Sequence, residues 1–257
     1  MPQVLYARMF QKTRPEIGAA DAEACGGHMS FCGLGSPVGR AVAMGLDRPF
    51  TPADLDCIED FYRGHKAPAQ VDLCPLHEPA VFEMFKERGY AITELNNVLY
   101  RKLEPGETFP APPAGCEIRR SFAKEAATAG SIVESAFFPD GAPEAFRGLI
   151  APFYEMEDAL PFVASLDGKL VACGTGLIIR KHKVFALSGA GTLAEYRGRG
   201  LQTALLRARM AAALEAGCEY AVVVTQGGTT SQRNAERLGF RVAYSKVTVI
   251  KQMVLMS

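Results

Sequence analysis

The chain has 257 residues, and its 28 lysines and arginines balance 28 aspartates and glutamates, so no basic excess indicates binding to nucleic acid. Hydrophobic residues make up 48% and charged residues 22%, which is typical of a globular protein with a buried core. Because no apolar run approaches the roughly 20 residues that span a bilayer, and because the first residues lack the apolar segment of a signal peptide, we expect a cytoplasmic protein with neither nucleic acid nor a membrane as partner.

Two groups of cysteine and histidine lie in the N-terminal part. Cys25, His28 and Cys32 form the first group, and Cys74 and His77 form the second. Such residues can bind zinc, but their spacing is irregular for a zinc site, and the sequence contains no C-x-x-C pair. We therefore predict reduced thiols that behave as small hydrophobic residues, and no metal.

A proline-rich segment divides the chain. Prolines at positions 105, 110, 112 and 113 exclude a helix or an inner strand there. We predict a linker at 105–114 between a first domain at 1–104 and a second domain at 115–257.

The two parts share a pattern of helices and strands at a constant offset of 150 residues. The matching segments are 53–62 with 203–212, 71–76 with 221–226, 82–90 with 232–240, and 97–101 with 247–251. This offset indicates a duplicated unit. The first copy has no glycine at 47–53, and it carries Pro49 and Pro52, which lack N–H groups.

The second part predicts a mixed α/β domain. Strands are predicted at 117–120, 161–166, 169–180, 184–192, 219–225 and 241–251, and helices at 124–136, 144–154, 201–216 and 234–238. The spacing of Leu201 and Leu205 predicts an apolar helix face against the sheet. Arg207 and Arg209 are then expected on the opposite, exposed face.

The most informative segment joins strand 184–192 to helix 201–216. It reads Arg197-Gly198-Arg199-Gly200-Leu201-Gln202-Thr203. N–H groups at a helix start lack intrahelical partners, the helix dipole adds positive potential, and glycine lets a bulky anion approach the backbone. The segment therefore predicts a pyrophosphate cradle, and residues 197–203 are called the cradle below. Its spacing matches neither the P-loop nor the dinucleotide-binding pattern.

The segment 192–206 resembles the acetyl-CoA motif of the GNAT acyltransferases, in which Arg-x-x-Gly-x-(Gly/Ala) opens a helix after an apolar strand. Gln202 departs from the Gly or Ala that is usual in that family. The resemblance implies an α/β (α+β) fold of two GNAT-like mixed-sheet halves. The half at 115–257 would be a complete GNAT fold with splayed central strands, and the half at 1–104 would be degenerate.

The resemblance also implies the contacts of the cofactor. In the family, pantetheine lies between two splayed strands, and the pyrophosphate lies at the helix start. The implied acetyl-CoA contacts in this chain are Thr192, Leu193, Ala194, Arg197, Gly198, Arg199, Gly200, Leu201, Gln202, Thr203 and Asn234.

The catalytic group is less obvious from the sequence. Many members of the family have a Tyr four residues before the Gly of the Leu-Gly-Phe motif, where this chain has Ala235. Tyr244 is our first candidate for the general acid, and Glu195 is our candidate for the general base. Ser231 is expected to cap the helix near 234 rather than to act on the thiol. Cys173, a conceivable nucleophile, is expected to be a buried thiol.

The acceptor is only outlined by the sequence. Aromatic residues (Phe137, Phe138, Phe153 and Tyr154) and acidic residues (Glu144, Glu155, Glu157 and Asp158) near the predicted first helices suggest a small amine or a peptide amine. We therefore predict an N-acetyltransferase that uses acetyl-CoA as co-substrate by direct transfer, as a monomer or a homodimer. The alternative is a non-catalytic protein that binds or senses acyl-CoA.

Overall fold

A computed structural model describes residues 2–252 and confirms a mixed α/β fold. The helices are α1 (Pro2–Thr13), α2 (Pro52–Gly64), α3 (Pro79–Glu87), α4 (Ala126–Phe137), α5 (Leu201–Glu215) and α6 (Thr230–Arg237). The strands are β1 (Ala20–Ala24), β2 (Gly27–Phe31), β3 (Gln70–Leu73), β4 (Tyr90–Lys102), β5 (Cys116–Arg120), β6 (Phe162–Leu166), β7 (Lys169–Ile179), β8 (Val184–Thr192), β9 (Tyr220–Gln226) and β10 (Arg241–Lys251).

The chain forms two compact units. The first contains the described residues up to Val98 and those from Tyr244 onward, and the second is Leu99–Ala243. The boundaries between the units therefore fall inside strands β4 and β10. The domains predicted at 1–104 and 115–257 are inferred from a linker and a repeat in the sequence, whereas the compact units are defined by contacts. The predicted domains therefore stay a prediction.

In the strand order of the first unit, β10 lies between β3 and β4. β10 runs antiparallel to β3, with Val249 opposite Val71. Its core includes Leu55 and Ile58 of α2 and Phe85 of α3, all almost fully buried. Beside this core, Arg40 pairs with Asp72 and Glu94, and Lys246 pairs with Asp72, so two positive charges face two negative charges.

The second unit has five consecutive strands in the order β9-β8-β7-β6-β5. β8 and β9 are parallel, and the other neighbouring pairs are antiparallel. Helix α5 packs its apolar residues against this sheet, where Leu205 and Met210 are completely buried. The connection from β8 into α5 therefore carries the cradle at the edge of a well-packed core.

Most predicted elements of the second unit are observed, with one clear exception. The helix predicted at 144–154 is wrong, because only short 3₁₀ turns form there, at Glu144–Phe146 and Ala151–Tyr154. Gly148 lies between them with a left-handed φ of +68°. Pro152 then supplies no N–H group for a continuous helix. Both residues are helix breakers that the prediction underweighted.

The Cys and His groups of the N-terminal part have ordinary structural environments. The Nδ1 of His77 lies 2.9 Å from the carbonyl of Cys74, and its Nε2 lies 2.9 Å from the carbonyl of Met44. Cys25, Cys32 and Cys74 are buried free thiols. Within residues 2–252, no cluster of three His, Cys, Asp or Glu has the arrangement of a metal site, and none of the helices is long and apolar enough to cross a membrane.

Acid should weaken the start of α4 through Glu125. Its carboxylate accepts bonds from Arg119 at 2.8 and 2.9 Å and from the Phe122 N–H at 2.8 Å. The Arg119 guanidinium is the main cause that lowers the pKa of Glu125 from 4.5 to about 2. The stabilisation is therefore complete above the unfolded pKa and is lost as the pH falls toward 2.

We expect Glu125→Gln to lower the free energy of unfolding at pH 6, and we expect the difference from wild type to shrink between pH 4.5 and 2. Chemical denaturation across this range measures it. The exposed Glu215 offers a matched control, since Glu215→Gln should change stability little at any pH. A difference for Glu125→Gln that does not depend on pH would contradict this account.

Candidate active site

The cradle has the backbone geometry of an anion site. Gly198 and Gly200 have φ values of +76° and +77°, a left-handed conformation that strains any residue with a Cβ. Helix α5 begins immediately after Gly200, and no side chain caps its first turn. The first turn also carries no acidic residue. Its N–H groups and the positive end of the helix dipole are therefore available to an anion.

The arginines of the cradle have different environments. Arg197 donates to the carbonyl of Thr192 and to the carbonyl of Ala136 at the end of α4, both at 3.2 Å. It therefore ties the loop to a neighbouring helix. Arg199 lies over the ring of Tyr196 at 5.5 Å from its centroid and keeps its charge at the surface.

The helix start that corresponds to the cradle at the offset of 150 residues is closed. Helix α2 is capped by Thr51, whose hydroxyl accepts from the Asp54 N–H, and Asp54 accepts in return from the Thr51 N–H at 2.8 Å. Arg48 pairs with Asp54 at 2.7 Å and lowers the pKa of that carboxyl. A carboxylate of the chain itself therefore occupies the position that an external anion would need.

A gap opens between β8 and β9 beside the cradle. Parallel pairing runs from Val184 opposite Tyr220 to Leu187 opposite Val223 and then stops within the described residues. β8 continues to Thr192 while still paired with β7 on its other edge. Within the part of the chain that the structure describes, its edge toward β9 therefore has no strand partner over 189–192. The name gap is kept below for this opening, whose closed end is at Leu187 and whose open end is at the cradle.

A β-bulge shapes the wall of the gap. Thr175 lies opposite Ser188 and Cys173 lies opposite Gly191, so β8 has one extra residue between these pairs. Gly189 in this bulge has a φ of +52°, and its carbonyl accepts a 2.6 Å hydrogen bond from the Tyr154 hydroxyl. The sequence analysis predicted an uninterrupted strand at 184–192 and missed this bulge, although two glycines inside a strand are a recognised signal of one.

Among the three residues implied to contact pantetheine, two have a backbone group that is already hydrogen-bonded within the chain. The Leu193 N–H donates to Val171 at 3.0 Å, and the Thr192 carbonyl accepts from Arg197. Ala194 starts a 3₁₀ turn. These residues lie at the open end of the gap, and the unpaired edge of β8 lies just before them in the chain.

Arg209 is the largest departure from the prediction for α5. It is 1% exposed and faces the sheet, so its predicted place on the exposed face is wrong. The backbone of Gly174 makes room for it, since a Cβ at Gly174 would lie 2.6 Å from the Arg209 Cζ. Helical periodicity places a charged residue toward solvent, and it contains no information about the space that Gly174 leaves on a neighbouring strand.

Gly174→Ala is therefore expected to destabilise the protein by about 1–3 kcal/mol, because the buried guanidinium cannot move to solvent. Gly64→Ala is the matched control, since Gly64 ends α2 and a Cβ there meets nothing within 4 Å. Urea denaturation of both variants measures the effect. Equal stability of the two variants would mean that the guanidinium is not held where the structure has it.

The two catalytic candidates lie in different compact units. Glu195, in the second unit, has a side chain that is 61% exposed and lies 4.0 Å from the Lys169 Nζ. Tyr244, in the first unit, is 36% exposed, and burial, with a smaller effect of the nearby Asp72 carboxylate, raises its pKa above 10. Tyr244 thus keeps its proton throughout the neutral range.

Helix α6, just before the Leu-Gly-Phe motif, carries Asn234 and Ala235. Asn234 is half-buried, and its Oδ1 accepts from Arg237 at 3.3 Å. Ala235 is 1% exposed and belongs to the hydrophobic core. The cap of this helix is Thr229, which accepts from the Gln232 N–H at 3.3 Å, so the expected cap at Ser231 is wrong.

The predicted aromatic residues do not form one wall. Phe137 is exposed, and it packs with Phe138 around Phe146. Phe153 and Tyr154 are instead buried. Cys173 is a buried thiol, as expected, and donates to the carbonyl of Ala129 on α4.

Comparison with known proteins supports the interpretation of the second unit. Residues 130–240 match the family model described as Acetyltransferase (GNAT) family. A GCN5-related N-acetyltransferase from Kribbella flavida is 21% identical, with a TM-score of 0.70 over 98% of this chain and 97% of that chain. A tandem GNAT protein from the clavulanic acid biosynthesis pathway is 15% identical, with a TM-score of 0.64 over 91% and 85% of the two chains. At these identities the two structures show a shared fold. No curated protein sequence matches the chain.

Proposed function

We propose that the chain is an N-acetyltransferase that moves an acetyl group from acetyl-CoA to a small amine or a peptide amine, because residues 130–240 match the GNAT acetyltransferase family model. The observation that carries this proposal is the uncapped start of α5 next to an unpaired strand edge. A pyrophosphate requires an anion-binding helix start. The amide groups of pantetheine require unpaired backbone groups, which the gap offers.

Each part of acetyl-CoA has a proposed place in the second unit. The pyrophosphate binds the N–H groups of the cradle, and Arg199 adds positive charge at the surface. Pantetheine lies in the gap and bonds to the free edge of β8. Asn234 contacts the outer part of the cofactor.

The proposed reaction is direct transfer. The amine attacks the thioester carbonyl, a C–N bond forms, and the C–S bond breaks with its electron pair on sulfur. Glu195 is proposed to take the proton of the amine, directly or through water, and Tyr244 to protonate the thiolate. The raised pKa of Tyr244 favours the proton-donor role.

The N-terminal half is proposed to be a degenerate GNAT-like copy. The offset of 150 residues recurs in the structure, where β3 begins at Gln70 and β9 at Tyr220, and where α3 ends at Glu87 and α6 at Arg237. The capped start of α2 supports the proposal that this copy binds no coenzyme.

A second candidate function is acyl-CoA binding without catalysis. It is favoured by Ala235, which is buried in the core where a catalytic Tyr is common in the family. An assay for CoA thiol release from acetyl-CoA, run against a panel of small amines and peptide amines beside a competent acetyltransferase, separates the two functions. Amine-dependent release supports the enzyme, and binding without release across the panel supports the alternative.

A further inference from the structure

A basic surface adjoins the cradle, and one of its cations comes from a segment that is distant in sequence. Lys169, Tyr196 and Arg199 form this surface and are called the basic cluster below. The Lys169 Nζ lies 5.2 Å from the centroid of the Tyr196 ring, and the Arg199 guanidinium lies 5.5 Å from the same centroid. The Lys169 Nζ also donates to the Tyr196 hydroxyl at 3.4 Å. Two cations therefore meet at one aromatic ring.

The backbone holds the three side chains of the basic cluster in place. Lys169 pairs with Leu166 in the hairpin that joins β6 to β7. Tyr196 ends the 3₁₀ turn Ala194–Tyr196, and its ring is partly buried against the hydrophobic core. Arg199 stands between Gly198 and Gly200, both of which are left-handed. The cluster is therefore a preformed surface directly before the open start of α5.

The positive charge of the basic cluster is only partly compensated. Among the described residues, Lys169 has one ion-pair partner, the Glu195 carboxylate at 4.0 Å, and Arg199 has none. The side chains of Lys169 and Glu195 are both 61% exposed, so water screens this pair. The ring attracts each cation, whereas the two cations repel each other. An anion that bridges them removes this repulsion, and a phosphate combines multiple charge with several acceptor oxygens.

We propose that Lys169 and Arg199, positioned by Tyr196, bind a phosphate group of coenzyme A beside the cradle. This inference rests on the proposed function. Coenzyme A carries a pyrophosphate and a separate 3′-phosphate, so its negative charge extends beyond the N–H groups of one helix start. Arg199 immediately precedes Gly200, where those N–H groups begin. Lys169 is thus a coenzyme ligand that lies outside the cradle and its sequence motif.

The test compares three ligands with the full chain. Coenzyme A carries both kinds of phosphate, 3′-dephospho-coenzyme A lacks the 3′-phosphate, and pantetheine carries no phosphate. Calorimetric titration measures Kd for the first two ligands, and ligand-observed NMR measures it for pantetheine. We expect Lys169→Gln to raise the Kd of coenzyme A by about 5–10-fold, as loss of a hydrogen bond to a charged group does, and to leave that of pantetheine unchanged.

Lys183→Gln is the matched control for this variant. Lys183 is 62% exposed, pairs with the Glu219 carboxylate at 2.7 Å, and precedes β8, whose other end leads to the cradle. The control removes the same charge from an equally exposed lysine. Because that charge is remote from the cradle and screened by salt, the Kd of coenzyme A should stay within about twofold of wild type.

Two variants of Tyr196 test its positioning role. Tyr196→Phe keeps the ring and removes only the weak bond to Lys169, so most of the affinity for coenzyme A should remain. Tyr196→Leu keeps an apolar side chain against the core and removes the ring. It should weaken the binding of coenzyme A and leave that of pantetheine unchanged. A purely structural role would not depend on whether the ligand carries phosphate.

The ligand comparison also identifies the phosphate. Weaker binding of coenzyme A and 3′-dephospho-coenzyme A by Lys169→Gln assigns the pyrophosphate, and weaker binding of coenzyme A alone assigns the 3′-phosphate; either result supports the proposal. Equal Kd values of Lys169→Gln and Lys183→Gln for coenzyme A would overturn it, as would an equal loss for pantetheine. If wild type does not bind coenzyme A, the proposed function fails as well. If it binds and Lys169 has no effect, the inference alone fails.

Discussion

Gly200→Glu is expected to abolish the thermal stabilisation of the protein by acetyl-CoA. At a ligand concentration of 100 times Kd, wild type should gain about 2.7 kcal/mol, or roughly 5–10 °C in Tm. The new side chain puts a carboxylate at the uncapped start of α5, where it competes with the pyrophosphate for the same N–H groups. Differential scanning fluorimetry with and without acetyl-CoA measures the loss.

The matched control is Gly217→Glu at the other end of α5. Gly217 has a φ of +83°, close to the +77° of Gly200, so both variants carry a similar backbone strain of about 1–2 kcal/mol. A Cβ at Gly217 meets nothing within 4 Å, and one at Gly200 meets only Pro113 at 3.6 Å. Gly217→Glu should therefore keep the shift with acetyl-CoA. A full shift in Gly200→Glu would show that the cradle is misplaced.

Tyr244→Phe is expected to lower turnover by about 10²–10⁴-fold, because loss of the hydroxyl removes the proposed general acid and keeps the ring. The affinity for acetyl-CoA should hold. Because the pKa of Tyr244 is raised above 10, wild-type turnover should show no decline from loss of this proton below about pH 10. Thiol release with an accepted amine, followed from pH 6 to 10.5, measures both features.

Glu195→Gln gives the comparison variant for the acid–base assignment. If Glu195 is the base, its loss should lower turnover most at low pH, where little of the amine is already deprotonated. The structure puts this carboxylate beside Lys169 at the surface. If neither variant slows turnover by more than about threefold, positioning alone carries the rate and both assignments are wrong.

The cradle could be predicted from the sequence because its signals are local. Two glycines after an apolar strand and before an Ala/Leu-rich helix fix the turn, and the structure has β8 at Val184–Thr192 and α5 from Leu201, as predicted. The capped start of α2 is local too, since Thr51 and Asp54 have the spacing of a capping box.

The place of Arg209 and the end of the β8–β9 pairing could not be predicted with the same rules, because both depend on contacts between distant segments. The place of Arg209 is set by space over Gly174 and by carbonyls of β7 and β8, which helical periodicity does not contain. The end of β8–β9 pairing after Leu187 is likewise a property of two strands together. Tyr244 was chosen from its place after the Gly-Phe turn, whereas the structure puts it in the first compact unit.

Calorimetric titration of wild type with acetyl-CoA tests the central claim, which is one coenzyme site per chain at the cradle. The open start of α5 and the capped start of α2 predict a stoichiometry of one. Gly200→Glu should remove the binding heat under the same conditions, and Gly217→Glu should keep it. Two equivalent sites per chain would contradict the degenerate N-terminal copy, and no binding by wild type would contradict the proposed function itself.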